Sequence, residues 1–178
     1  MTNPRILSVT PGTRHVGYAY FEGNELIEWG VRENNKGSIK DRVGYQGKSI
    51  VSDLVKRYEP TVVVLPRPDA GSKKANQQRF IETLKVLFTS GATVVRYCSA
   101  REVRTSFLAF DPSVKPTKHA IMVRIGRLFP ELEPVVPAPR RPWDPQDYWT
   151  PMFDAVARAV AWLATDDTAG SDEPPEQP

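Results

Sequence analysis

Residues 61–65 read Thr-Val-Val-Val-Leu. Successive side chains of a strand point to opposite faces, so an unbroken β-branched run makes both faces apolar. Such a strand must be covered on both sides, which predicts a sheet with a parallel component and helices on each face. The chain before it supplies partners. Arg5 to Val9 is a short aliphatic run that ends at the turn Pro11-Gly12-Thr13. His15 to Glu22 and Glu25 to Arg32 read as two further strands joined at Gly23-Asn24, giving an antiparallel three-strand meander.

Helical signals alternate with strands after this point. The later part of Ser38 to Tyr58 carries Ile50, Val51, Leu54 and Val55 at helical spacing, and Asn76 to Ser90 carries Phe80, Ile81, Leu84, Leu87 and Phe88. Ala92 to Tyr97 is expected as a fifth strand. Ser99 to Phe107 is expected as a short helix with Ser99 as N-cap and Glu102 at the capping-box position. Thr117 to Phe129 is a further helix. Glu133 to Pro145 is rich in proline and reads as an extended strap. Thr150-Pro151 suits a helix start, and Met152 to Ala164 continues it. The expected fold is therefore α/β, a mixed five-stranded sheet flanked by helices, over residues 1–165. Residues 166–178 are acidic and proline-rich and are expected to form a disordered tail.

Composition excludes several classes. No window approaches the roughly 18 consecutive apolar residues of a membrane span. The first residues, MTNPRILSV, lack a secretory h-region, so a cytoplasmic protein with no membrane partner is the expectation. Cys98 is the one cysteine of the chain, which leaves no intramolecular disulfide and no multi-cysteine zinc site. Charge is uneven. The chain has 24 Lys and Arg against 21 Asp and Glu, yet the last thirteen residues hold five acids and no base. Residues 1–165 thus set 24 bases against 16 acids, a net +8. A basic body favours an anionic partner, nucleic acid foremost, although a merely soluble surface has the same signature.

Ile6-Leu7-Ser8-Val9-Thr10-Pro11-Gly12-Thr13-Arg14, followed by Val16-Gly17-Tyr18-Ala19, resembles the opening of the RuvC-type Holliday-junction resolvases, which have the ribonuclease H-like fold. Val62 to Leu65 resembles the fourth strand of that fold, and Phe153-Asp154-Ala155-Val156-Ala157 the start of its last helix. The resemblance implies hydrolysis of phosphodiesters by two divalent metals, which are held by four carboxylates. Carried over position by position, those carboxylates fall on Thr10, Pro66, Pro151 and Asp154, so that Asp154 alone is an acid. Asp69, three residues past Pro66, and Asp147, seven before Asp154, are the acids that could rebuild a site. Even with both, the bridging position at Thr10 is empty. Asp154 itself reads more readily as a first-turn acid favoured by the helix dipole than as a remnant metal ligand. No metal is expected, and Mg²⁺ only if the site is rebuilt.

Other residues bear on nucleic acid. Arg14 and the turn before it could cup a phosphate. Lys73, Lys74 and Arg79 follow the fourth strand and could neutralise phosphates, or simply form a solvated helix face. Arg140-Arg141 beside Trp143 could hold a phosphate with a stacked base. The expectation there is instead a strap with Trp143 packed onto the sheet. His15 is expected to be structural, His119 to lie on a helix surface, and Cys98 to act as a small hydrophobe. The functional expectation is a degenerate RuvC-like protein that binds nucleic acid, possibly branched DNA, without cleaving it. The alternatives are a protein-interaction module and a metal-dependent endonuclease with a rebuilt site. A homodimer is implied by the resemblance alone.

Overall fold

The computed structural model describes residues 3–11, 15–33, 47–67, 75–88 and 91–169. Its elements follow the order strand β1 (Arg5–Pro11), β2 (His15–Glu22), β3 (Glu25–Glu33), helix α1 (Gly47–Tyr58), β4 (Val62–Pro66), α2 (Ala75–Phe88), β5 (Val94–Cys98), α3 (Ala100–Phe110), α4 (Lys118–Leu128), a 3-10 turn (Pro130–Val135) and α5 (Thr150–Ala169). The sheet order is β3-β2-β1-β4-β5. β1, β2 and β3 pair antiparallel, whereas β4 runs parallel to both β1 and β5. The mixed five-stranded sheet expected from the sequence is therefore present.

Alternation along the central strands builds two cores. Leu7, Val9, Val63 and Leu65 face Val51 and Leu54 of α1 and Phe80 and Leu84 of α2. Ile6 and Val64 face the other way, towards Val103 and Phe107 of α3, Ile121 and Ile125 of α4, and the Met152-Phe153 start of α5. Burying one such large apolar side chain contributes about 1.5–3 kcal/mol, so each face of the sheet needs its helix layer. The period of two then puts Ser8, Thr10 and Pro66 on the face that α5 covers. Gly17 lets α5 come this close, because a Cβ there would overlap the backbone of Pro151 and Met152.

Local signals explain the element ends. Ser99 Oγ accepts from the Glu102 amide at 3.1 Å, and the Glu102 carboxylate accepts from the Ser99 amide at 2.6 Å, which completes the expected capping box of α3. Thr117 caps α4 through the Ala120 amide at 3.2 Å.

Four expectations are corrected. Residues 133–135 are not extended but close a 3-10 turn that begins at Pro130, where a fixed φ suits the first helical position. The strap therefore starts at Val136. Trp143 does not pack on the sheet: it is 75% exposed. His119 is half-buried on α4, with Nδ1 enclosed and unbonded among the described residues. Helix α5 runs on to Ala169, into the segment expected to be tail. Residues 170–178 lie outside the described residues.

Candidate functional site

The carboxyl ends of β1, β4 and β5 meet beneath the first two turns of α5. Thr10 lies near the end of β1 and is 4% exposed. Pro66 ends β4, buried and in register with Cys98 of β5. Pro151 is buried in the first turn of α5. Of the four positions where the resemblance implies carboxylates, three thus hold buried residues that offer no negative charge.

A positive charge occupies the middle of this arrangement. Arg158 is 9% exposed and reaches back from α5 to β1, where Nη1 donates to Thr10 Oγ1 at 2.8 Å. The same nitrogen donates to the Asp154 carbonyl at 3.0 Å, and Nε donates to the Cys98 carbonyl at 3.3 Å. The Cys98 carbonyl also accepts from the Arg67 amide at 3.0 Å. One guanidinium therefore ties together β1, β5 and α5. Its described partners are all neutral oxygens, and no carboxylate forms an ion pair with it among the described residues.

Asp154 is placed one helical turn before Arg158, but its carboxylate turns elsewhere. Oδ2 pairs with Lys118 Nζ, at the start of α4, at 2.9 Å. Asp147 sits on the entry to α5, as the proline at 151 implies. Its Oδ1 accepts from the Trp149 amide at 2.9 Å and its carbonyl from the Thr150 amide at 3.2 Å. The structure does not bring the two acids into one ligand set. Asp69, Lys73, Lys74 and Arg14 lie outside the described residues. Arg79 is exposed on α2, in the helix layer on the opposite face of the sheet.

These residues do not fit a divalent cation. Mg²⁺ demands several hard oxygen ligands with negative charge, and a guanidinium bonded at Thr10 repels it at short range. No group of three or more potential metal ligands among His, Cys, Asp and Glu comes together among the described residues. The same basic surroundings act on the neighbouring side chains. Burial pushes the Cys98 thiol up to about 11, against the opposing pull of Arg158 and Arg67. Burial also works to raise the Glu102 carboxyl, but the hydrogen bonds from Ser99 and the charge of Arg67 at 3.5 Å outweigh it and hold the group below its ordinary range.

Sequence reasoning missed Arg158. The signal was present: it is the one charged residue in Ala155-Val156-Ala157-Arg158-Ala159-Val160-Ala161, a run otherwise apolar enough to be buried on most sides.

The strap that begins at Val136 leads into this site. Tyr148 packs edge-on against His15, at the start of β2, with ring centroids 5.0 Å apart, and Trp149 packs against Trp29 of β3 at 5.7 Å. His15 also lies 3.9 Å from Glu33. Among the described residues, no helix is long and apolar enough to cross a membrane.

Comparison with solved structures identifies the fold. The chain is similar to RuvC of Thermus thermophilus, at 15% identity and a TM-score of 0.62 over 93% of this chain and 96% of that one. It is also similar to Thermus thermophilus RuvC in complex with a Holliday junction substrate, at 14% identity and a TM-score of 0.65 over 92% and 96%. The yeast mitochondrial Holliday junction resolvase shares 10% identity and a TM-score of 0.69 over 96% of this chain and 82% of that one. No known family profile and no curated protein sequence matches the chain. The fold is thus the RuvC-type, ribonuclease H-like fold that the opening motif suggested.

Proposed function

We propose that the chain binds nucleic acid, with branched DNA as the foremost candidate, and does not cut it. The observation that carries this reading is the Arg158 guanidinium bonded to Thr10 Oγ1, where the resemblance calls for a carboxylate that bridges two metals. A fixed internal cation provides the positive charge at this point of the fold. It activates no water, because it has no open coordination position and no basic lone pair. Two-metal hydrolysis then has no ligand set at this point of the fold. The net charge of +8 over residues 1–165 supports nucleic-acid binding, as does the likeness in fold to resolvases solved with Holliday junction DNA. Divalent metal plays no part in this binding, and the free protein works in the cytoplasm, singly or as the homodimer that the resemblance implies.

A second reading, a protein-interaction module, is favoured by one observation. A pocket of about 240 Å³ between α3 and α4 is lined by Phe107, Val114, Pro116 and Ile121, and Phe110 and Leu128 on the same two helices are exposed.

The test is a paired assay of binding and cleavage on a synthetic four-way junction and a matched linear duplex, in Mg²⁺, in Mn²⁺ and in EDTA. Binding of equal strength in all three, without cleavage, is the expected result. Affinity should fall steeply with salt, because each phosphate contact releases counterions. Metal-dependent cleavage abolished by Asp154→Asn would mean that the site has been rebuilt. No binding at low salt would leave the protein-interaction module.

A further inference from the structure

We propose that the turn carrying Trp143 is a stacking platform for an unpaired nucleobase, with Arg140 and Arg141 holding the adjoining phosphates. The proposal rests on the nucleic-acid reading above and names the part of the ligand that this surface takes.

Trp143 is the most exposed large hydrophobic side chain among the described residues, at 75%. A tryptophan presented this way loses the burial that normally stabilises it. The turn that carries it is nevertheless closed by hydrogen bonds. The Asp144 carboxylate accepts from the Arg141 amide at 2.8 Å, the Asp144 amide donates to the Arg141 carbonyl at 3.1 Å, and Arg140 Nε donates to the Asp144 carbonyl at 2.7 Å. Pro139, Pro142 and Pro145 flank these residues and restrict φ along the turn. Little backbone freedom is left to lose when a ligand meets the ring.

The surroundings specify the ligand. Arg141 Cζ lies 5.8 Å from the centroid of the Trp143 ring, so a delocalised cation borders the exposed ring. Neither Arg140 nor Arg141 forms an ion pair among the described residues. An exposed indole bordered by the Arg141 guanidinium, with Arg140 in the same turn and neither in an ion pair, matches a nucleotide, whose flat π-face is joined through its sugar to an anionic phosphate. Apolar peptide side chains would leave both charges unanswered. Paired bases inside a duplex keep their faces stacked on one another, so the platform takes a base that is unpaired or unstacked, as at a branch point or in a single strand.

Location agrees with this. Trp143 is five residues from Tyr148, a span of at most about 18 Å. Tyr148 packs on His15 at the start of β2, the end of the sheet where Thr10, Arg158 and Asp154 lie. The platform and this end of the sheet are therefore within reach of one nucleic-acid ligand.

The experiment measures equilibrium binding of the full chain to three fluorescently labelled probes in EDTA at low salt: a four-way junction, a single strand and a fully paired duplex. Wild type is compared with Trp143→Ala and Trp143→Phe, and thermal unfolding shows that each variant is folded. We expect Trp143→Ala to weaken binding of the junction and single strand about tenfold, a typical loss for one stacked base, and to leave the duplex within about twofold. Trp143→Phe should keep most of the affinity, because a smaller ring still stacks. Equal weakening on all three probes would overturn the unpaired-base assignment. Unchanged binding by both variants, with wild type binding well, would overturn the platform and leave the proposed function standing. Failure of wild type to bind any probe would overturn that function and the platform with it.

Discussion

Arg158 and Arg141 flank the start of α5, and the fold uses the two guanidinium groups in different ways. Arg158 is nine-tenths buried and spends its described hydrogen bonds on the chain's own oxygens: Thr10 Oγ1 and the carbonyls of Cys98 and Asp154. Arg141 is exposed, has no ion pair among the described residues and borders an exposed indole. The buried cation completes the fold, and the exposed one is available to a ligand. Burial and internal satisfaction, more than charge, distinguish a structural cation from a binding one.

The largest expected effect breaks the buried half of this comparison. Arg158→Ala takes the guanidinium donor from Thr10 Oγ1 and from the Cys98 and Asp154 carbonyls and opens a void under α5, and should cost about 3 kcal/mol of stability. Chemical denaturation measures it. A loss below about 1 kcal/mol would mean that the guanidinium is not what holds β1, β5 and α5 together.

Next in size is the exchange of charge at the same point. Thr10→Asp alone places a carboxylate against Arg158, so the two should pair and leave no Mg²⁺-dependent change in thermal stability. Thr10→Asp combined with Arg158→Ala puts a carboxylate at 10 beside the space that the guanidinium left, one helical turn from Asp154, which can exchange its Lys118 partner for a cation. Saturating Mg²⁺ should then stabilise the double variant by about 1 kcal/mol through preferential binding to the folded state. Equal stabilisation of the single variant would show that Arg158 does not exclude the cation.

The contrast between the two arginines also shows what a sequence reveals. The sheet was readable because its signals are local: the Thr61 to Leu65 run sets the two-faced strand, and the Ser99–Glu102 pair caps the next helix within four residues. The places of Thr10, Pro66 and Pro151, at the ends of β1 and β4 and the start of α5, were readable because they follow from element order. The role of Arg158 depends instead on how α5 lies across β1 and β5, a non-local fact. Only its isolation in an alanine-rich run hinted at it. Trp143 misled for the opposite reason. The general tendency of tryptophan to be buried is overridden here by a turn that prolines and Asp144 close before the ring can reach the sheet.

A smaller effect lies at the edge of the buried site. Ser99→Ala removes the side-chain cap of α3 directly after Cys98, whose carbonyl anchors Arg158, and should cost about 1 kcal/mol. Glu102 adds a pH dependence to the same cap. Its carboxyl is held below the ordinary value of 4.5 in the folded chain. A depressed folded value means stability that is present above pH 4.5 and is lost as pH falls through the folded value. Glu102→Gln should therefore be less stable than wild type at neutral pH, and the two should converge in acid. A constant difference across that range would show that the cap works without the charge.

The smallest expected effect on stability tests the exposed half. Trp143→Ala should shift unfolding by less than about 0.5 kcal/mol, as surface substitutions do, because the turn is closed by Arg140, Arg141 and Asp144 and not by the indole. Acrylamide should quench the fluorescence of the other three tryptophans less than that of Trp143, which stands clear of the ring contacts that link Trp29 with Trp149. A stability loss of Arg158→Ala size would place the indole against the body of the protein. Both arginines would then belong to the interior, and the division between a cation that the fold consumes and one that it presents would fail.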